Sequence, residues 1–369
     1  MVKTPANPVS LLAQAIELSI RRGIPAFAFR MPGDDRFYWG ACECDALTPL
    51  PEGVASRESA GFLFAPFDPT QFPRFFFPVA PQPVEAIDLE VLNQWPGQLL
   101  DEEAVIPDDI SYEAYEKEVQ MLVEAFSGGE LKKAVLSRTV TLPRGEVPDN
   151  QLFVRLAEKY RSAFVSWVHL PGSGRWIGAT PETLLRYDGR QVSTMALAGT
   201  RKAGTAAPWG EKEKEEQQIV TDYIVAAFHT LGFSPEVGER FTCVAGQVEH
   251  LCTPVSQRGN FGFDRLNGLL SALHPTPAVG GYPKSLAREW IGRVESHSRR
   301  YYGGYLGPVS PQEIALFVNL RCMEVTDSYL RLYVGGGLTA KSQPESEWKE
   351  TEAKAQTLLS VINQKDKTK

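Results

Sequence analysis

The sequence predicts an α+β protein of layered build, with antiparallel strands and helices packed outside them. Three observations carry this. Strand-like runs follow one another across short turns, as in "FVSWVHLP", a Gly-Ser-Gly turn and "WIGATPETLLRYDG". Long helical patterns, one with a polar cap and a glycine stop, stand before, between and after these runs. Finally, 43% hydrophobic and 22% charged residues over 369 positions are enough to build a sizeable core. No linker divides the chain, so one domain over residues 1–369 is expected.

Residues 1 to 110 combine a helix from about Ser10, short strands and Pro-rich connections such as "FAPFDPTQFPRFFFPVAPQPV". The phenylalanines there need burial, which points to irregular packing against a core. Ser111 can cap the helix "YEAYEKEVQMLVEAF", and Gly128-Gly129 ends it. "KAVLSRTVTL", "FVSWVHLP", "WIGATPETLLRYDG" and "QVSTMALAGT" then read as a meander of strands. A charged helix, "EKEKEEQQIVTDYIVAAFHTLG", starts after Gly210. Strands near "FTCVAGQVEHLCTPV" precede a helix from Phe263 to Leu273, the loop "HPTPAVGGYP" and the helix "KSLAREWIGRVESH". "YYGGYLGPV", "IALFVNLRCMEV" and "YLRLYVGGGLTA" read as paired strands, and "ESEWKETEAKAQTLLSVI" is the last helix.

Composition also excludes. A net charge of −7 lacks the basic footprint of a nucleic-acid binder. No stretch approaches the roughly 20 apolar residues of a membrane span. Five scattered cysteines, with no CxxC spacing, fit free thiols in a reducing cytoplasm better than a zinc site. A cytoplasmic monomer is the expectation. GxGxxG, Walker, HExxH and GxSxG signatures are all missing.

The residues able to do chemistry are few. Glu213 and Glu216 share a helix face, as do Glu347, Glu350 and Lys354 on the last helix. Carboxylates from two helices could hold a hard divalent cation. On spacing alone, a solvated face laced with ion pairs is the stronger account. Gly335, Gly336 and Gly337 would let backbone N–H groups approach an anion, or simply make a tight turn. Arg321 interrupts an apolar strand and needs an anionic partner, either a structural Glu or a ligand carboxylate. His250, in a strand, fits a satisfied core histidine. Glu182 follows Pro181 and fits a strand start. "LKKAVLSR" opens a core strand with two lysines, although Lys is rarely buried. Alternation puts Lys133, Val135 and Ser137 on one face and Lys132, Ala134 and Leu136 on the other. Both faces are mixed, so periodicity does not choose between them.

Taken in order, "KAVLSR", "GATPETLL", "ALAGTR", "EKEEQQIV", "LHPTPAVGG", "RRYYGGYLG", "LRC" and "GGGLTAKSQPESEWKETEAK" resemble the chorismate-utilising enzymes. The resemblance spans about residues 130 to 360; residues 1–110 carry none of it, as is usual for the family's variable N-terminal half. It implies two stacked antiparallel sheets with outer helices, chorismate as substrate and Mg²⁺ as cofactor. It selects Lys133 as the inward lysine and catalytic base, and Glu182 as the acid. It further implies Glu216 and Glu350 as metal ligands with Glu347 behind them. Gly199, Thr200, His250, Thr276, Tyr302, Arg321, Gly335, Gly336, Gly337 and Lys354 would surround the substrate.

Amine-transferring members carry Gln where Lys133 stands, and aminodeoxychorismate synthases carry a nucleophilic Lys in place of Ala198. The chain therefore resembles a water-adding member, of the isochorismate synthase kind. "HPTPAVGG" favours this over a salicylate synthase, which would also eliminate pyruvate; an anthranilate synthase component fits less well. Arg300 departs from the family, whose members often have Gly there. The implied mechanism needs a Lys lowered in pKa by desolvation and nearby positive charge, and a Glu raised by burial.

Overall fold

A computed structural model describes residues 7–50, 60–99 and 106–364. Among these, the α-helices are α1 (Pro8–Arg22), α2 (Leu89–Gln94), α3 (Tyr112–Ser127), α4 (Asp149–Lys159), α5 (Glu211–Thr230), α6 (Phe263–Leu273), α7 (Lys284–Val294) and α8 (Pro344–Ile362). The strands of the first half are β1 (Ala26–Arg30), β2 (Tyr38–Ala41), β3 (Thr48–Leu50), β4 (Gly61–Ala65), β5 (Arg74–Phe77), β6 (Gln82–Pro83), β7 (Lys133–Pro143), β8 (Phe164–Leu170) and β9 (Gly174–Thr180). Those of the second half are β10 (Thr183–Tyr187), β11 (Gln191–Lys202), β12 (Glu236–Val237), β13 (Phe241–Ala245), β14 (Val248–Arg258), β15 (Gly281–Tyr282), β16 (Tyr305–Val309), β17 (Ile314–Val318), β18 (Cys322–Val325) and β19 (Tyr329–Leu338).

The strands form two stacked antiparallel sheets. One has nine strands in the order β15-β7-β19-β18-β9-β8-β1-β2-β6. The other has ten: β12-β14-β11-β10-β17-β16-β4-β5-β3, with β13 also beside β14. Side chains from both inner faces meet in an aromatic layer that includes Phe27, Phe164 and Tyr333 of the first sheet and Phe62, Phe64 and Phe317 of the second. The outer face of the nine-stranded sheet is covered by α1, α4 and α8 through Leu12, Leu152, Leu156 and Leu358. Further along, α3 and α7 cover Ala134 and Leu136 of β7. Helices α5 and α6 cover the ten-stranded sheet through Val220, Ile224, Leu266 and Leu270. The α+β layered expectation describes this arrangement.

Local chemistry sets the helix ends. Asn7 accepts a hydrogen bond from Val9 N and Pro8 opens α1; Gly23, at φ 66°, closes it. Ser111 caps α3 as expected, accepting from Ala114 N at 3.3 Å.

The structure departs from the sequence reading in three places. Helix α4 lies where one strand was read as leading straight to the next; Pro148 precedes it, with no side-chain cap to announce it. The aromatic-rich N-terminal segment is regular: β4 and β5 continue the ten-stranded sheet, and β1 and β2 the nine-stranded one. Most consequentially, "WIGATPETLLRYDG" and "IALFVNLRCMEV" are each two strands. The first runs as β9 in one sheet, then crosses at Pro181-Glu182 into β10 of the other. The second leaves β17 and crosses through Asn319, Leu320 and Arg321 into β18. The crossings lie side by side, joined by a hydrogen bond from Val318 N to Glu182 O at 3.0 Å.

Candidate active site

At these two crossings a cavity opens. Its wall includes Glu182, Gly199, Thr200, Glu216, His250, Tyr302, Arg321, Gly335, Gly337 and Lys354. Residues implied at separate points of the sequence thus share one space. Gly336 is not on this wall: its Cα faces α8, and a Cβ there would lie 3.4 Å from Glu347 Oε2 and 3.6 Å from Glu350 Oε1.

Lys133 begins β7 and is fully buried, whereas Lys132 is exposed. Neither is on the cavity wall; Lys133 reaches it through Glu216, with Nζ 3.0 Å from Oε1. That contact is an ion pair by distance, but its angle falls short of a hydrogen bond. Gly337 makes room for it. A Cβ at this position would lie 2.2 Å from Glu216 Oε1 and 3.1 Å from Lys133 Cε.

Glu182, 3% exposed, is held by the crossing itself. Burial pushes its carboxyl up to about 8, against the opposing pull of Lys133, Lys354 and Arg321. It is therefore protonated at neutral pH and can donate a proton. Thr276 is buried beside it, turns its hydroxyl toward the carboxyl and has no other partner among the described residues.

Arg321 sits at φ 48°, a left-handed backbone that costs a non-glycine residue about 1–2 kcal/mol. Its Nη2 donates to His250 Nε2 at 3.0 Å and its Nη1 to Thr357 Oγ1 at 3.2 Å. His250 Nδ1 in turn lies 3.0 Å from Gly199 O. This pattern assigns the neutral tautomer protonated at Nδ1. Burial, then Arg321 and Lys354, hold the imidazole well below its usual pKa. Gly199 bulges β11 at φ 71°, shifting its pairing with β14 between Ala198 and Thr200.

The carboxylates are split between two spaces. Glu216 faces the inner cavity. Glu347 and Glu350 line an outer pocket together with Glu213 and Lys212, and Thr200 lies on both walls. Each of the three implied metal carboxylates has a lysine: Lys133 on Glu216, Lys212 on Glu347 at 2.5 Å, and Lys354 on Glu350 at 2.7 Å. Burial would raise Glu216, but Lys133, Lys354 and Lys212 outweigh it and hold its pKa below the usual range. Glu347 is raised by burial and by Glu350. Its Oε2 is buried without a hydrogen-bond partner. Among the described residues, no three His, Cys, Asp or Glu side chains converge as a ready metal cluster. The donor chemistry nevertheless fits a hard cation: carboxylates alone, one orphan oxygen, and glycines that leave the space between them open.

Sequence reasoning missed Lys212, Thr357 and Tyr333. Lys212 stands four residues before Glu216 on α5, a spacing that suggests a partner on its own helix; its partner is on α8 instead. Tyr333 lines the cavity and stacks on Tyr302 at 5.6 Å.

Residues 92–363 match the family described as chorismate binding enzyme. The chain belongs to the chorismate-binding enzymes. Among relatives, this family member is 28% identical over 331 residues to the isochorismate synthase EntC of Escherichia coli K12, covering 84% of this chain and 82% of EntC. It is 30% identical over 271 residues to the isochorismate synthase DhbC of Bacillus subtilis 168, covering 68% of each chain. The solved structure of MenF, the menaquinone-specific isochorismate synthase of E. coli, matches with TM-score 0.78 over 98% of this chain and 92% of MenF. At 20% identity, that likeness speaks for the chorismate-binding fold alone. No helix among the described residues is long and apolar enough to cross a membrane.

Proposed function

We propose that the chain is an isochorismate synthase, converting chorismate to isochorismate by adding water at C2 with loss of the C4 hydroxyl. The observation that carries this is a fully buried lysine, Lys133, behind a cavity whose wall holds Glu182, a carboxyl that burial keeps protonated. Base and acid chemistry on opposite faces of a ring needs such a pair. The relatives named as isochorismate synthases support the same reading. So does Lys133 itself, where amine-transferring members carry Gln.

In this reading Lys133 takes a proton from the attacking water, and Glu182 gives its proton to the departing C4 oxygen. Arg321 and the Lys354 ammonium hold substrate carboxylates. Tyr302, Gly335 and Gly337 border the substrate together with Gly199, Thr200 and His250, Gly336 backs them on the α8 side, and Thr276 lies beside Glu182. Glu216 and Glu350 would hold Mg²⁺, with Glu347 behind them. When bound, the ion neutralises carboxylate charge and stabilises the charge that develops as the ring double bonds shift.

Product chromatography from chorismate and Mg²⁺, with pyruvate assayed alongside, tests the proposal. Isochorismate without pyruvate is expected. Stoichiometric pyruvate and salicylate would replace the proposal with a salicylate synthase, and ammonia-dependent anthranilate fluorescence with an anthranilate synthase.

A further inference from the structure

Strand β7 carries Lys133 and is second from the edge of its sheet. Its outer neighbour β15 is two residues long and pairs only with Lys133 and Ala134. Beyond that point the outward backbone groups of β7 would be bare. They are met by side chains. Ser137 N donates to Glu295 Oε1 at 2.7 Å, and Val135 O accepts from Arg299 Nη2 at 2.6 Å. The side chains of Glu295 and Arg299 are 3% and 4% exposed and paired at 2.5 Å, with a second contact of 2.8 Å from Nε to Oε2. Carboxylate and guanidinium thus play the carbonyl and the N–H of an absent strand.

The same guanidinium reaches a second wall. Arg299 Nη1 donates to Val279 O at 2.8 Å. Val135 and Val279 both line the cavity. The segment carrying Thr276 and Val279 is tied to β7 again by Val135 N donating to Gly280 O at 2.9 Å. Arg299 lies under Phe67, 4.4 Å from the ring centre, which fixes its plane. A buried ion pair is weak grounds for stability, because desolvation offsets most of the attraction. Fixing geometry is the better account of this one.

We infer that Glu295 and Arg299 form a positioning pair that replaces an edge strand and sets the spacing between the Lys133 strand and the Thr276–Val279 wall. The inference rests on the proposed reaction only for its kinetic consequence. The test uses Glu295→Gln, nearly isosteric, in the full chain. Amide exchange at Val135–Ser137 is expected to speed up about 10-fold or more, with β8 and β9 unchanged. The kcat for chorismate is expected to fall about 10- to 100-fold while KM moves less than about 3-fold, because a small misplacement of catalytic groups costs that much. A merely stabilising pair would lower melting temperature and leave kcat per folded molecule intact. Arg299→Lys keeps the charge but cannot fork between two carbonyls; it is expected to show the same faster exchange and a smaller fall in kcat, and it carries the test should Glu295→Gln not fold. Parent exchange and parent kcat in a folded variant would overturn the inference. A parent inactive on chorismate would overturn the proposed function instead, and the exchange measurement would still decide the role of the pair.

Discussion

Arg321 is held by His250, not by a carboxylate: Nη2 donates to the imidazole Nε2 at 3.0 Å, and no acidic group among the described residues lies within ion-pairing distance. A neutral acceptor orients the guanidinium without cancelling its charge. Of the two partners the sequence left open for Arg321, a structural Glu is thereby set aside. The charge stays available to a ligand carboxylate. Removing one charged hydrogen bond of this kind costs about 1.5–3 kcal/mol, or roughly 10- to 100-fold in binding. Arg321→Gln is expected to raise KM for chorismate by about that factor. His250→Phe leaves Arg321 charged and held by Thr357 alone, and is expected to raise KM less, roughly 10-fold. Equal KM values for parent and Arg321→Gln in steady-state assays would contradict the assignment.

Lys133→Ala is expected to lower turnover by at least about 10²-fold, the ordinary contribution of a general base. Circular dichroism and chorismate binding by calorimetry are expected to persist. A variant with parent turnover would remove Lys133 from the mechanism.

The carboxyl of Glu182 is pushed up to about 8 by burial, and the proposed mechanism uses its protonated form. The alkaline limb of the rate is therefore expected to fall above about pH 8, as that proton is lost. Glu182→Gln is expected to lose about 10²-fold or more and, with it, that alkaline limb. An unchanged limb in the residual activity would assign it to another group.

Glu350→Ala is expected to abolish saturable Mg²⁺ binding measured by calorimetry in the absence of substrate, together with activity. Unaltered Mg²⁺ binding would contradict its role as a ligand. Glu213→Ala, in the outer pocket, is expected to leave Mg²⁺ binding in place.

Glu118 on α3 is raised to about 8 by burial and by Glu295. The folded protein thus keeps a proton that the unfolded chain releases near pH 4.5. The stabilising contribution is full below that pH and is lost as pH rises to about 8, with a slope of at most ~1.4 kcal/mol per pH unit. Glu182 acts in the same window. Glu118→Gln is expected to flatten part of this fall, measured as urea midpoints at pH 5 and pH 8. Parallel curves for parent and variant would count against a buried, protonated Glu118.

Much of the fold was legible because its signals are local. Ser111 caps α3, strand pairs follow turns, and the alternation in β7 divides Lys133 from Lys132. What stayed hidden depends on tertiary context. Extended backbone on both sides of Pro181 and of Arg321 looks like one strand, since nothing local says that the next residue joins a different sheet. Helix α4 follows Pro148 without a polar cap. Lys212 and Glu347 stand 135 positions apart, so no spacing rule could pair them. The site residues came from a family pattern, and the fold explains why they meet: the crossings carry Glu182 and Arg321 between the sheets, and β7 and β19 bring Lys133 and the glycines beside them.

The crossings also turn the molecule into a calliper. Glu182 and Arg321 ride on the two links joining its jaws, so jaw separation sets how each link stretches and how it presents its side chain to the cavity. The flat contact of Phe164 with Phe317, ring centres 4.2 Å apart, is a shim in that instrument. Thinning or thickening the shim, far from any substrate, would retune the reaction before it loosened the frame.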